Sequence, residues 1–138
     1  MGLFGSGSGS GSISNKVVSQ SPSQYKRENT FDHRCRISQT VLSKHPTYIP
    51  VILERGSRNT DTIPEIPNKK YLIPRTFNMS NFMFMIRTRV KIPAHVGMFL
   101  FVDNMLVPAN ASMETLYHEH KDDDGFLYIT YSGESVFG

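Results

Sequence analysis

Residues 116–138 read LYHEHKDDDGFLYITYSGESVFG. An acidic, histidine-flecked segment through Gly125 comes first and has the composition of a solvated turn. The next six residues, Phe126-Leu127-Tyr128-Ile129-Thr130-Tyr131, alternate with period two, which predicts a strand with one buried face. A small polar tail then runs to Gly138. Glycine directly after such a strand offers an unhindered carboxylate, as a chain joined through its own carboxyl to an amine requires.

A buried strand needs partners, and the upstream sequence supplies them. Residues 98–103, MFLFVD, are nearly all apolar and read as a buried strand; Asp103-Asn104 tolerates the positive φ of a tight turn into Met105-Leu106-Val107. Ser112 can cap a short helix through His118. Asn78 can cap a helix over 79–91, with Met79, Phe82, Met83, Ile86 and Val90 on one face, and Pro93 closes it. Residues 48–55, YIPVILER, read as a strand in which Pro50 cannot donate. Residues 69–74, KKYLIP, alternate, carry two lysines and stop at a proline, the marks of a sheet edge. A further helix is expected over 31–44, capped by Thr30 and ended by Pro46. It carries two apolar lines, Phe31-Cys35-Ser38-Leu42 and Ile37-Val41, where packing on a small domain needs one. The second line is either core or part of a groove.

The chain has 138 residues, 38% hydrophobic and 20% charged, which fits one domain with a single core. No apolar run approaches the roughly 20 residues of a membrane-spanning helix. A lone Cys35 excludes an internal disulfide, and without a secretory segment a reducing cytosol is the expected compartment. The net charge of +3 is not the footprint of a nucleic-acid binder. Residues 1–12, MGLFGSGSGSGS, read as an added flexible Gly/Ser linker, although the first six also match an N-myristoylation pattern. Residues 13–23 read as a flexible polar extension.

Cys35 lies on the helix line expected to face the core, so an inert buried thiol is expected. His118 and His120 are two apart and would diverge on a helix, which argues against a metal site. Asp122-Asp123-Asp124-Gly125 lacks the alternating spacing of a calcium loop. No phosphate loop, nucleophile elbow or paired carboxylates appear, so the expectation is a non-enzyme without cofactor or metal.

Strand, strand, helix, strand, helix, strand is the order of a ubiquitin-like β-grasp. With a helix before HPTYIPVILER, then KKYLIP, FMFMIRTRV, LYHEHKDDDGFLYITYSGE and a final Phe137-Gly138, the chain resembles the ubiquitin-like autophagy modifiers. That family includes autophagy-related protein 8, light chain 3 and the GABA-A-receptor-associated protein. The resemblance starts near Tyr25 and implies a domain over 24–138. It implies an α+β fold, a mixed four-stranded sheet with additional N-terminal helices, and a flexible tail.

The resemblance also implies function. Gly138 would be conjugated to phosphatidylethanolamine by ubiquitin-like activating and conjugating enzymes, with a cysteine protease for processing and delipidation. The protein would be cytoplasmic when unlipidated, on autophagosomal or vacuolar-type membranes when lipidated, and monomeric in solution. Motif-bearing receptors and adaptors would bind through an aromatic-x-x-aliphatic segment added to the second strand. The aromatic's pocket would comprise Ile37, Val41, Pro50, Lys70, Leu72 and Phe126. The aliphatic's pocket would comprise Tyr71, Ile73, Pro74, Phe77, Phe82 and Met85, with Arg89 at its rim. The alternative is a non-conjugated trafficking adaptor that binds peptides only. Ile37 departs from a charged residue common in the family, and Tyr48 and Asn68 stand where arginine and lysine are frequent. These departures predict a more apolar first pocket and weaker dependence on acids flanking the aromatic.

Overall fold

Each helix among the described residues starts where a side-chain oxygen accepts from a free backbone N–H. In the computed structural model, which describes residues 23–56 and 63–133, Ser23 caps α1 (Gln24–Glu28) by accepting from Lys26, and Thr30 caps α2 (Phe31–Lys44) by accepting from His33. Asn78 and Asn81 form a reciprocal capping box at α3 (Met79–Val90), and Ser112 caps α4 (Met113–His120). Pro46 stops α2 by displacing His45, whose φ of −133° and ψ of 66° are not helical. α3 ends on Lys91 in the left-handed region, at φ 54° and ψ 47°.

Among the described residues the strands are β1 (Tyr48–Arg55), β2 (Lys70–Pro74), β3 (Phe99–Val102), β4 (Met105–Leu106) and β5 (Leu127–Ser132). Their order in space is β2-β1-β5-β3-β4; β1 and β5 are parallel and the other neighbours antiparallel. The sheet is therefore mixed, with five strands rather than the expected four. The fifth exists because Asp103 and Asn104, at φ 51° and 65°, turn the chain so that Leu106 pairs with Phe101 and Met105 with Val102. Pro50 sits one residue ahead of the β1–β5 ladder, which begins at Val51↔Leu127, so its missing N–H leaves no gap there.

Alternation along the strands divides the interior in two. On one face Ile49, Val51, Leu53, Tyr71, Ile73, Leu127, Ile129 and Tyr131 pack with Met79, Phe82 and Ile86 of α3 and with Met113, Leu116 and Tyr117 of α4. On the other, Ile52 and Phe126 pack with Tyr25 of α1 and with the half-buried Ile37 and Tyr128.

α2 meets the sheet partly by the expected line, of which Ser38 is buried, and partly by Arg34, which lies off that line. Arg34 and Ser38 are its buried residues, Cys35 and Leu42 are half-buried, and Phe31 is 44% exposed beneath the Arg34 guanidinium. The reason is polar. The 122–125 turn is not simply solvated, because Asp124 is buried and serves as the hub of a network. Its carboxylate accepts from Arg34 Nη1 (2.5 Å), Tyr128 Oη (2.5 Å) and the Phe126 N–H (2.9 Å), while its carbonyl accepts from Ser38 Oγ. Gly125 holds φ at +94°, and a Cβ there would come within 2.4 Å of Ser38 Oγ, so both backbone and space demand glycine. Burial and the neighbouring carboxylate push the Tyr128 phenol far above its ordinary value, so it stays a donor to Asp124. Outside this network, Lys26 pairs with Asp122 at 2.6 Å and lies over the Tyr128 ring.

Removing one partner of a buried ion pair strands the other charge, whereas an exposed pair contributes little. Asp124→Ala is expected to lower unfolding free energy by about 3–5 kcal/mol in urea titration. Lys26→Ala, whose side chain is 38% exposed, should change it by about 1 kcal/mol or less.

Candidate functional site

β2 is the outer strand of the sheet, so half of its backbone polar groups face away from the ladder. The inward and outward halves follow from the bonding pattern. Leu53 N–H donates to Lys69 O and Arg75 N–H to Thr47 O, which makes the odd-numbered residues of this segment the ones bonded to β1. Lys70 and Leu72 then point their backbone groups outward. The Lys70 carbonyl accepts from Asn68 Nδ2 at 3.0 Å, and Pro74, lacking an N–H, ends the usable edge.

A recess of about 160 Å³ lies on the α2 face of this edge, lined by Ile37, Val41, Pro50, Lys70, Tyr71, Leu72 and Phe126. The six residues assigned to an aromatic's pocket are thus brought together, with Tyr71 as a seventh. Each element supplies them for a local reason. Ile37 and Val41 are one helical turn apart on α2, Pro50 and Leu72 are cross-strand partners, and Phe126 is fixed by the Asp124 turn and by the edge of the Tyr25 ring, 5.6 Å between centroids. Leu72 remains 39% exposed.

The residues assigned to an aliphatic's pocket divide. Ile73 and Phe82 are fully buried core, and Tyr71 is 8% exposed with its ring edge-on to Phe82, 6.2 Å between centroids. Burial raises the Tyr71 phenol above its ordinary value while the Arg89 charge opposes the rise. Pro74, Phe77 and Met85 are half-buried and Arg89 is exposed. Three of these seven, Phe77, Met85 and Arg89, line a second and wider recess of about 540 Å³ on α3, together with Ser80, Asn81, Phe84 and Thr88. Ile73 and Phe82 form core beneath this region. Sequence reasoning missed Phe84, which is 73% exposed. The available signal was an aromatic placed off the apolar stripe of its own helix.

Among the described residues no group of histidine, cysteine or acidic side chains could hold a metal, and no helix is long and apolar enough to cross a membrane. His118 is exposed, and His120 contacts Asp103 across the β3–β4 turn at 2.7 Å. Cys35 is half-buried rather than buried; burial first, and then the charge of Asp124, push its thiol up, against the opposing field of Arg34. Gly138 lies outside the described residues.

Comparison with known proteins gives one consistent result. The family model "Autophagy protein Atg8 ubiquitin like" matches residues 33–138. Autophagy-related protein 8 of Schizosaccharomyces pombe is 44% identical over 116 residues, 84% of this chain and 94% of that protein. Autophagy-related protein 8a of Arabidopsis thaliana is 42% identical over 116 residues, 84% of this chain and 93% of that protein. The crystal structure of Trypanosoma brucei ATG8 superposes with a TM-score of 0.78 at 36% identity, covering 86% of this chain and all of that one.

A thiol held protonated and half-buried is a poor nucleophile. Iodoacetamide at pH 8 should label Cys35 several-fold more slowly in the folded protein than in urea, as read by intact mass. Equal rates would overturn the inert assignment.

Proposed function

The chain belongs to the Atg8 family of ubiquitin-like autophagy proteins, and from that premise we propose that it is a lipid-conjugated modifier that also captures peptide motifs. Its C-terminal Gly138 is joined to the amine of phosphatidylethanolamine on autophagosomal membranes by ubiquitin-like activating and conjugating enzymes, and a cysteine protease processes or releases it. Receptors and adaptors that carry an aromatic-x-x-aliphatic segment dock on β2. The protein is not itself an enzyme, and it exchanges between cytoplasm and membrane as the lipid is added or removed.

The observation that carries the capture half is the placement of two recesses on opposite sides of one sheet edge. Even-numbered residues of β2, Lys70 and Leu72, line the recess on the α2 face. Tyr71 and Ile73 face the α3 layer, where Phe77, Met85 and Arg89 border the second recess. A peptide added to an edge is extended, so side chains three apart point to opposite faces. An aromatic and an aliphatic with two residues between them therefore meet one recess each, and an even spacing would leave one recess empty. The Leu72 backbone groups and the Lys70 N–H supply the ladder, while the Asn68 amide must leave the Lys70 carbonyl as the peptide arrives. A buried aromatic removes roughly 150–250 Å² from water, about 4–6 kcal/mol before association and ordering are subtracted, so micromolar affinity is expected.

Family membership, through a model that matches residues 33–138, supports the conjugation half. Two acyl chains at about 0.8 kcal/mol per buried CH₂ give on the order of 20 kcal/mol or more, enough to hold a protein of this size at a bilayer. A single myristoyl chain on Gly2 would bind only marginally by the same arithmetic.

Two measurements separate this reading from a non-conjugated adaptor. With the cascade enzymes and phosphatidylethanolamine liposomes, intact mass should show a lipid adduct that Gly138→Ala abolishes; an adduct of equal yield in the variant would refute the handle. A peptide with a Trp-x-x-Leu core should shift the amide signals of Lys70–Ile73, and Leu72→Asp should weaken it at least tenfold, the factor that about 1.4 kcal/mol represents. Silence of that strand would remove peptide capture from both schemes.

A further inference from the structure

β1 and β5 run parallel and finish together. Arg55 pairs with Tyr131, and the Gly56 N–H donates to the Tyr131 carbonyl at 2.8 Å, beside Ser132 and Gly133 where the chain leaves the sheet. Lys69 stands near the same end, its carbonyl accepting from the Leu53 N–H at 2.8 Å. α3 descends to this end as well. Its first N–H groups, from Met79 and Ser80, donate to Ala111 and Ala109, and its 12 residues then span about 18 Å to Lys91. The 92–97 loop folds back on Arg87, whose Nη2 donates to the carbonyls of Pro93 at 2.9 Å, Ala94 at 3.3 Å and Val96 at 2.6 Å. A Cβ on Gly97 would stand 3.8 Å from the Gly133 carbonyl oxygen, so this loop lies against the exit of β5.

Charge at this end is one-sided. Arg87 is held by carbonyls, which fill its hydrogen-bonding positions but carry no net charge to cancel its own. Lys91 is exposed on the left-handed cap of α3 and has no ion pair among the described residues. Lys69 and Arg55 face the same carboxylate, Glu65, at 3.7 Å each. The other described acid near this end, Glu54, is buried and accepts from the Tyr25 N–H. The opposite end of β5 is richer in carboxylates. Asp103 and Glu119 flank His120, Asp122 pairs with Lys26, and Asp123 is exposed. A negative plane attracts the first end and repels the second, and only charges within about a Debye length, roughly 8–10 Å, feel it.

We infer that this end of the domain is an electrostatic docking face for an anionic lipid surface, with Lys69, Arg87 and Lys91 as its cations. They stand on separate elements, a spread that suits a broad charged plane better than a single extended peptide. The inference deepens the conjugation reading and rests on it for the purpose of the contact. The strand end that the headgroups attract is the one that leads toward Gly138, so a single orientation serves both approach to the bilayer and delivery of the carboxyl.

The test is vesicle flotation of the unconjugated full chain, which needs none of the cascade enzymes. Phosphatidylcholine vesicles are compared with vesicles in which roughly a third of the lipid is phosphatidylserine, at about 0.05 and 0.5 M salt. The wild-type protein should bind the anionic vesicles about fivefold or more better in low salt, the scale of one cation at the surface, and lose that excess in high salt. Lys69→Gln with Lys91→Gln should remove most of the excess. Lys44→Gln with Lys121→Gln makes the same change in net charge on other faces and should cost less than about twofold. Lys91→Gln alone should carry part of the loss, so the result does not hang on the half-buried Lys69. Binding indifferent to phosphatidylserine, or equal losses in the two double variants, would overturn the docking face. Binding of a poly-glutamate peptide without binding of vesicles would assign these cations to an acidic protein and overturn it too. The conjugation reading fails separately, by the absence of a lipid adduct in the presence of the enzymes, whatever the flotation shows.

Discussion

The structure depends on the buried charge pair between Arg34 and Asp124. α2 carries no apolar stripe strong enough to fix its rotation on the sheet, since the residues it buries are Arg34 and Ser38. A charge held out of water tolerates few placements, because each lost hydrogen bond leaves it partly unpaired. Asp124 fills its accepting positions with Arg34, Tyr128 and the Phe126 N–H, and its carbonyl takes Ser38. This arrangement fixes both walls of the first recess at once. Ile37 and Val41 follow from the rotation of α2, and Phe126 follows from the turn that Asp124 organises two residues earlier. α1 closes the assembly from outside, with Tyr25 edge-on to Phe126 and its N–H donating to Glu54 at 2.9 Å.

Local signals made most of the fold legible. Caps at Thr30, Asn78 and Ser112, prolines at 46 and 74, and the Asp103-Asn104 turn are one-residue devices whose physics does not wait for tertiary contacts, and the element limits they imply match the observed ones closely. Period-two alternation likewise separated the two faces of β2 and β5. What stayed hidden was long-range and polar. Three consecutive aspartates look alike in a sequence, and nothing local distinguishes the buried Asp124 from the exposed Asp123; the distinction comes from Arg34, 90 residues away. The same blindness assigned Phe31 and Cys35 to the core-facing side of α2, because an apolar count cannot anticipate a helix that docks through an arginine.

The candidate site shows the same division. The residues of the first recess were named through the resemblance to the modifier family; the sequence by itself offered an edge strand at 69–74 and a second apolar line on α2 that packing did not require, open between core and groove. The second recess was blurred because one stripe on α3 feeds the core and the recess border together. Ile73 and Phe82 at 0% exposure and Met85 at half-burial sit within a few residues of one another, and helical periodicity cannot separate a floor from a lining. Phe84 points away from that stripe, and only its 73% exposure in the folded chain marks it as surface.

β5 makes the two proposed activities geometrically separate. Phe126 precedes its first residue and borders the first recess, whereas Ser132 at its far end pairs with Phe99 and leads into the tail. Six residues of strand place these points about 20 Å apart. The five residues beyond Gly133 reach roughly 17 Å when extended, so conjugated lipid would hold the Ser132 end of the sheet close to the bilayer. The first recess opens nearer the other end, beside the 122–125 turn. On the proposed reading, a rigid strand would hold the docking edge away from the headgroups, and nothing in the ladder requires occupancy of one end to alter the other. On the same proposed reading, membrane attachment would raise the local concentration of docking edges, and peptide affinity itself would stay that of the unconjugated domain.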